Sequence, residues 1–432
     1  MRNRKNLRLG LTIVGIALAS AFLSMIPIAV KAQSSGGAIR GTITDSSGAV
    51  IQGAAVTIVQ ASTGETRRLA SNTAGLYDAP NLPIGTYSVT VTATGFSTGD
   101  RKGIEVQIGS ERVIDLQLAI GPAEQTVTAT AEAATVDLAT SQTGGVESGK
   151  VVRELPLNGR DWTTLAALQP GVSIVRTENP VVLDVPRGNR GYGLMMAIGG
   201  TRPQQSSYWL DGVNVNDYAG GGPGSILGVS LGVDAVEEFS VITANPPADY
   251  GKTSGGVINA VTRAGANRIH GSLYEFLRNS ALDARNFFDT STLPPFKRNQ
   301  FGGSLGGPLK RQRTFFFVNY EGVRQGLGVS VVDTVPAPSA RAGDLVTGRV
   351  TVIPLVAPYL AFFPQPNGPI KGDAGTYTFS AQNGAHENLL TTRVDHHFSE
   401  KDAIHGTYLF DQGATTVLPV IRKRSFLNFG RF

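Results

Sequence analysis

The apolar and polar positions of this chain alternate in short runs, the pattern of β-strands rather than helices. Between Gly37 and Ala119 the apolar sets are Ile39, Gly41 and Ile43; Val56 and Ile58; Tyr87, Val89, Val91 and Ala93; and Ile114, Leu116 and Leu118. The third set alternates with Ser88, Thr90, Thr92 and Thr94, as in a strand with one buried and one wet face. Turn-forming residues punctuate the segment at Asp45–Gly48, Ser62–Gly64, Asn72–Gly75, Asn81–Gly85 and Gly95–Gly99. About seven strands in this length predict a small β-sandwich.

The pattern then changes twice. Gly121–Thr143 is rich in Ala and Thr with little apolar mass and reads as a flexible linker. Within it, "EQTVTATA" (Glu124–Ala131) is short and β-prone, and such a segment can add itself to another protein's sheet edge through backbone bonds. Gly144–Gly265 is mixed. "NGRDWTTLAALQPGV" predicts a short helix capped by Asp161 and ended by Pro170-Gly171. "SSYWLDGVNVND" predicts strand, turn, strand around Asp211-Gly212, and "VDAVEEFSVIT" a helical turn into a strand. In "SGGVINAVTRAG", Val257, Asn259 and Val261 alternate with Ile258, Ala260 and Thr262; Gly255 and Gly256 ahead of them mark a bulge or a tight backbone approach.

After Gly265 the strands become aromatic. Phe316, Val318 and Tyr320 share one face, and Phe317, Asn319 and Glu321 the other. A second hairpin turns at Ser399–Asp402, with Val394 and Phe398 on one face and Arg393, Asp395 and His397 on the other. Leu327–Gln382 reads as one long loop. Strands with one polar and one aromatic face fit a transmembrane β-barrel; a soluble sandwich is the alternative.

Composition sharpens this in three ways. The N-terminus carries Arg2, Arg4, Lys5 and Arg8, then an apolar run from Leu9 to Val30, then Val30-Lys31-Ala32 at the positions a signal peptidase reads. Residues 1–32 therefore read as a cleaved signal peptide, with an uncleaved membrane anchor as the alternative. The five basic groups of that segment account for the whole net charge of +5. The remainder is neutral, and a nucleic-acid partner loses its electrostatic basis. The absence of cysteine removes disulfides, thiolate nucleophiles and thiolate metal sites together.

Candidate chemistry is thin. "GGVESGK" (Gly144–Lys150) fits the spacing of a phosphate-binding loop, but Val151 stands where the Mg²⁺-binding hydroxyl belongs. "GVSLG" (Gly228–Gly232) and "GGSLG" (Gly302–Gly306) fit a nucleophile elbow and lack its strand–turn–helix setting. His396 and His397 are adjacent, so on a strand they face opposite ways and cannot share an ion. Asp211, Asn214, Asn216 and Asp217 miss the Ca²⁺-loop spacing. We expect no catalytic residue, no metal and no cofactor.

Long ordered motifs carry a resemblance. "GTITDSSGAVIQGAAVTI", "TGETRRLASNTAGLYDAPNLPIGTYSVTVTATGF" and "DLQL" resemble the carboxypeptidase regulatory-like, transthyretin-like module. In that pattern Gly75, Tyr77, Gly85, Tyr87 and Phe96 are structural, and no peptidase activity is implied. "ELPLNGRDWTTLAALQPGV", "GGTRPQQSSYWLDGVNVND", "VDAVEEFSVITANPPADYGKTSGGVINAVTRAGANRIHGSLYEFLRNSALDARNFF" and "NQFGGSLGGPLKRQRTFFFVNYEG" resemble TonB-dependent outer-membrane receptors, the Oar-like subgroup in particular.

The resemblance implies a mostly β chain: a signal peptide over 1–32, a sandwich over 37–119, a linker over 120–143, a mixed α/β plug over 144–265, and the start of a transmembrane β-barrel over 266–432. It implies that Glu124, Gln125, Thr126, Val127, Thr128 and Ala129 form the segment that the periplasmic TonB protein pairs with. Asp211, Gly212, Gly255, Gly256 and Asn259 would be structural residues of the plug, with "GGVINAVTRAG" its final strand, buried against the barrel wall. The implied function is energised uptake of an extracellular substrate (siderophores, cobalamin or oligosaccharides in related receptors) by a protein in outer-membrane lipid, with its N-terminal domain in the periplasm. An exported adhesion or carbohydrate-binding module is the alternative, and an exported hydrolase is disfavoured. Such receptors close their barrels with about 22 strands; about five are legible here, so this chain alone is expected to be incomplete and not to transport. Phe432 resembles the aromatic ending of complete barrels, but Arg422, Lys423 and Arg424 break the alternation before it.

Overall fold

The computed structural model describes residues 36–121, 126–130, 141–155, 157–175, 195–216, 231–251, 253–284, 293, 295–400 and 402–416. The expected signal peptide, Glu124, Gln125, Asp217 and the C-terminal Phe432 lie outside the described residues.

The alternating residues of the first segment converge on one core. Its strands are β1 (Gly37–Asp45), β2 (Ala55–Gln60), β3 (Thr66–Ala70), β4 (Leu76–Leu82), β5 (Gly85–Thr92), β6 (Thr98–Val106), β7 (Glu111–Val113) and β8 (Leu116–Leu118). One sheet places β1 between β4 and the parallel pair β7 and β8, and the other runs β3-β2-β5-β6. Ile39, Ile43, Val56, Ile58, Val89 and Val91 are buried between them. Tyr77 and Tyr87 are buried too, and their hydroxyls donate to the carbonyls of Ile114 at 2.7 Å and Pro83 at 2.6 Å, so neither leaves a polar group stranded.

The second sheet continues into the predicted linker. Thr126–Thr130 forms a strand, β9, that pairs in parallel with the start of β6, from Thr98↔Thr126 to Lys102↔Thr130. This corrects the flexible-linker reading for these five residues. The β-branched Thr126, Val127, Thr128 and Thr130 suit a strand, and β6 offers an edge that β5 leaves open.

The middle segment holds β10 (Thr143–Ser148), a helix at Gly149–Glu154, a 3₁₀ helix at Trp162–Leu168, β11 (Val172–Val175), β12 (Met195–Ile198), β13 (Ser207–Leu210), β14 (Val213–Asn214), β15 (Val236–Ala244) and β16 (Val257–Thr262). The helix predicted in "NGRDWTTLAALQPGV" is thus the tighter 3₁₀ form, with Asp161 accepting the Thr163 N–H at 3.0 Å as expected of its cap. Five strands make one sheet in the order β10-β15-β16-β13-β14. All six residues of β16 are buried. It is a central strand, antiparallel to β15 and parallel to β13.

The last segment is an antiparallel sheet of long strands: β17 (His270–Asn279), β18 (Phe296–Lys310), β19 (Thr314–Pro336), then, after two short strands β20 (Asp344–Leu345) and β21 (Gly348–Arg349) and a third, β22 (Ile370–Lys371), β23 (Ala374–His397) and β24 (Ala403–Thr416). β19 and β23 pair without interruption from Thr314↔His396 to Pro336↔Ala374. The loop expected over Leu327–Gln382 is therefore shorter, confined to what lies between Pro336 and Ala374. Its flanks, "VSVVDTV" and "TYTFS", are β-branched and aromatic and extend the strands. Among the described residues, β17 and β24 are edges and the sheet does not close.

Candidate functional site

The long strands separate their residues by face. On β19, Phe315, Phe317, Asn319, Glu321 and Val323 are buried, whereas Val318 and Tyr320 are exposed. Gln300 and Ser304 of β18 and Glu387, Leu389 and Thr391 of β23 are likewise buried. Phe317 packs into the same core as Trp162, Phe239 and Val241 of the middle domain. The buried face of the sheet is thus the seat of the middle domain. The opposite face exposes Leu273, Leu305, Leu309, Ile404, Tyr408 and Phe410.

Two polar clusters cross that seam. The first centres on Asp211. Asp211 (φ +49°) and Gly212 (φ +80°) are both left-handed, as in the tight hairpin turn that Asp-Gly favours. The turn delivers the carboxylate to Thr262, whose N–H and Oγ1–H donate to it at 2.9 and 2.7 Å. Thr407 Oγ1 on β24 donates at 2.8 Å to the same oxygen as Thr262 Oγ1, and Arg393 Nη1 on β23 lies 3.3 Å from the other. Arg393 also donates to the Thr262 carbonyl at 2.8 Å and to Asp395 at 2.8 Å. Its side chain is 11% exposed and that of Asp211 7%, so this charge cluster is largely cut off from water.

In the second cluster Arg160 donates to Asp234 at 2.6 Å, and Ser272 of β17 donates to the same carboxylate at 2.8 Å. Tyr274 donates to the fully buried Glu321 at 2.6 Å, Gln300 also bonds Glu321, and the Arg160 guanidinium lies 4.1 Å from the Tyr274 ring centre. The sequence offers no local signal for it, because Arg160 and Asp234 are 74 positions apart. For the first cluster a signal existed: Arg393, Asp395 and His397 share the polar face that the pattern predicts.

Of the other expected structural residues, Asn259 is buried and donates to the Tyr250 hydroxyl at 3.0 Å. Asn214 and Asn216 hydrogen-bond Ser207 Oγ and the Ser206 carbonyl, both at the head of β13, which explains their spacing without a cation. The glycines divide. A Cβ on Gly255 would lie 2.6 Å from the Gln205 carbonyl, and one on Gly256 would lie 2.2 Å from Ile198, so both approach the middle domain itself and not the long-stranded sheet expected as the barrel wall. Gly265 is the residue that meets the long strands, 2.4 Å from the Phe316 carbonyl by the same measure.

The sandwich touches both other bodies. Asn267 receives the Gln312 N–H at 2.8 Å and donates to the Thr63 carbonyl at 2.6 Å, joining the β2–β3 turn to the β18–β19 turn. Arg68 pairs with Glu400 at the β23–β24 turn. The Ile108 N–H donates to Glu238 of β15 at 2.5 Å, beside a cavity of about 280 Å³ lined by Arg112, Gln142, Ser240 and Tyr250 among others.

Burial pushes the Glu238 carboxyl up to about 7, with the Ile108 N–H and Arg112 opposing and Glu237 and Glu105 adding to the rise. A carboxyl raised in the folded state lends stability that is full below its ordinary value near 4.5 and is lost as pH rises through about 7. Glu238→Gln keeps the acceptor and mimics the protonated form. It is expected to match the wild-type melting temperature at pH 4.5 and exceed it at pH 8; a difference that does not change with pH would exclude this role.

Of the candidate partner-binding segment, Thr126, Val127, Thr128 and Ala129 lie on β9. Among the described residues no group of three or more His, Asp or Glu side chains is placed to hold a metal ion, and no helix is long and apolar enough to cross a membrane.

Comparison with known proteins accords with this arrangement. Residues 38–119 match the carboxypeptidase regulatory-like domain family, and residues 261–429 match the outer membrane beta barrel domain family. The chain is 25% identical over 261 residues to the TonB-dependent transporter Oar of Myxococcus xanthus, which covers 57% of this chain. It spans only 23% of that relative's length. Among solved structures, catechol 1,2-dioxygenase of Acinetobacter radioresistens aligns at 14% identity over 24% of this chain and 60% of its own, with a TM-score of 0.18. The TIE protein of Bacillus anthracis aligns at 24% identity over 20% of this chain and 17% of its own, also at 0.18.

Proposed function

We propose that this chain supplies the sandwich, the plug and barrel strands of a TonB-dependent, Oar-like receptor for energised uptake across the outer membrane, the middle domain being the plug. The observation that carries this reading is one sheet with two unlike faces. Its exposed face carries Leu273, Leu305, Tyr408 and Phe410, suited to lipid, while its buried face holds Glu321 and Arg393 against the middle domain. The order of parts supports it: regulatory-like sandwich, box-like strand, plug, barrel strands. The signal peptide at 1–32 would export the chain, and the sandwich would lie in the periplasm. The work would come from TonB pulling on Glu124–Ala129, with no catalytic group, metal or cofactor required of the chain itself. The substrate is an extracellular molecule of undetermined class.

Strand pairing runs through backbone groups, so Val127→Pro removes a donor and fixes φ. The expected result is loss of pull-down by the C-terminal domain of TonB, with Val127→Ala binding nearly as wild type. Equal capture of the proline variant and wild type would sink the assignment of the box.

A further inference from the structure

We propose that the sandwich presents β9 to TonB as a ready-made edge strand, and that TonB adds as the next strand of the same sheet without displacing β9 from β6. This rests on the reading of Thr126–Ala129 as part of the TonB-binding segment and adds how that segment is held. β9 closes the order β3-β2-β5-β6-β9, so one of its edges faces β6 and the other faces no strand among the described residues. On a strand, alternate residues direct their N–H and C=O groups to opposite sides. Pairing with β6 therefore occupies one set and leaves the other for a partner strand, the arrangement on which strand addition depends.

The placement is fixed from upstream. Phe96 and Ile120 form an isolated antiparallel bridge, the Ser97 N–H donates to the Ala119 carbonyl at 2.9 Å, and the Gly121 N–H donates to the Gly95 carbonyl at 3.2 Å. The chain leaving β8 is thus bound beside the start of β6, where β9 begins its ladder. A segment already extended has met the ordering cost that a free linker would meet on binding. Force applied through TonB would also load the whole sandwich, because β9 pulls on β6 along the strand direction.

The chain has no cysteine, so a single pair can be introduced cleanly. Lys102 and Thr130 are direct partners in the β6–β9 ladder. The full chain carrying Lys102→Cys and Thr130→Cys is bridged with a short bis-maleimide, and its affinity for the TonB C-terminal domain is compared before and after bridging. We expect the two dissociation constants to agree within about threefold, and amide exchange at Thr98–Lys102 to stay protected when TonB binds. A loss of tenfold or more on bridging, or deprotection of β6 on binding, would show that the segment must leave the sheet and overturn the proposal. Absence of binding in bridged, unbridged and wild-type chains alike would instead overturn the underlying box assignment, and the proposal with it.

Discussion

Arg393→Met is expected to lower the stability of the folded chain by about 3–5 kcal/mol, the cost of leaving a buried partner charge uncompensated. Asp211 and Asp395 both lean on this guanidinium, and the Thr262 carbonyl loses a donor at the same time. Because the three acceptors come from the Asp211-Gly212 hairpin turn, from β16 and from β23 itself, the loss should loosen the middle domain from the sheet as well as lower the melting temperature. Arg393→Lys keeps the charge and loses the fork that reaches all three, so it should fall between. Thr407→Val removes one neutral donor to Asp211 and should cost about 1 kcal/mol. Thermal melts of the purified chain in detergent, with limited proteolysis of the middle domain, provide the measurement. Equal melting of wild type and Arg393→Met would refute the role given to this cluster.

The second large effect is expected at Gly256. A Cβ there meets Ile198 Cγ2 at 2.2 Å and the Ile242 carbonyl at 2.8 Å, and Val would add two methyls to a space that holds none. Overpacking of this kind costs about 1–3 kcal/mol where the core can yield. Ile198 is itself fully buried, so Gly256→Val should lie at or above the top of that range. Gly406→Ala serves as the contrast: its Cβ would meet nothing within 4 Å, and the variant should be near neutral. Denaturant melts of both variants test the pair, and comparable destabilisation by the two would show that space around Gly256 is not what matters.

Strands with a clean period of two were legible in the sequence, because one face was buried and the other was not. Tyr87–Ala93 and Phe315–Tyr320 are of this kind, and their faces fall as the pattern predicts. β16 also read as a strand, but its surroundings did not. It is buried on both faces, and nothing local distinguishes a central strand of the middle domain from one packed against the long-stranded sheet. The long loop was misjudged for a related reason. Glycines and polar residues at Gln325–Ser330 look like turn material, yet the β19–β23 ladder continues straight through them because each is paired across the strand. β9 was legible as a β-prone segment, but its partner was not: that it pairs with β6 follows only from the edge that the sandwich leaves open. Of the polar clusters at the seam, the one around Arg393 showed in the sequence as a polar strand face, whereas the one around Arg160 did not, since Arg160 and Asp234 are 74 positions apart and meet only when two domains do.

The uninterrupted β19–β23 ladder has a bearing on how the two ends of this protein could exchange information. At about 3.4 Å per residue, its 23-residue strand is about 75 Å long, whereas about 9–11 residues suffice to cross a bilayer. The sandwich holds one end, through Asn267 at Gln312 and directly at Glu400, and the loop after Pro336 sits at the other. No side chain spans that distance. Among the described residues, the paired backbone of β19 and β23 joins the two ends, and the seam held by Asp211 and Arg160 lies along the half nearer the sandwich, at Arg393 and Glu321. Any report of occupancy at the loop end would therefore have to shift or bend the ladder as one body before it reached those side chains.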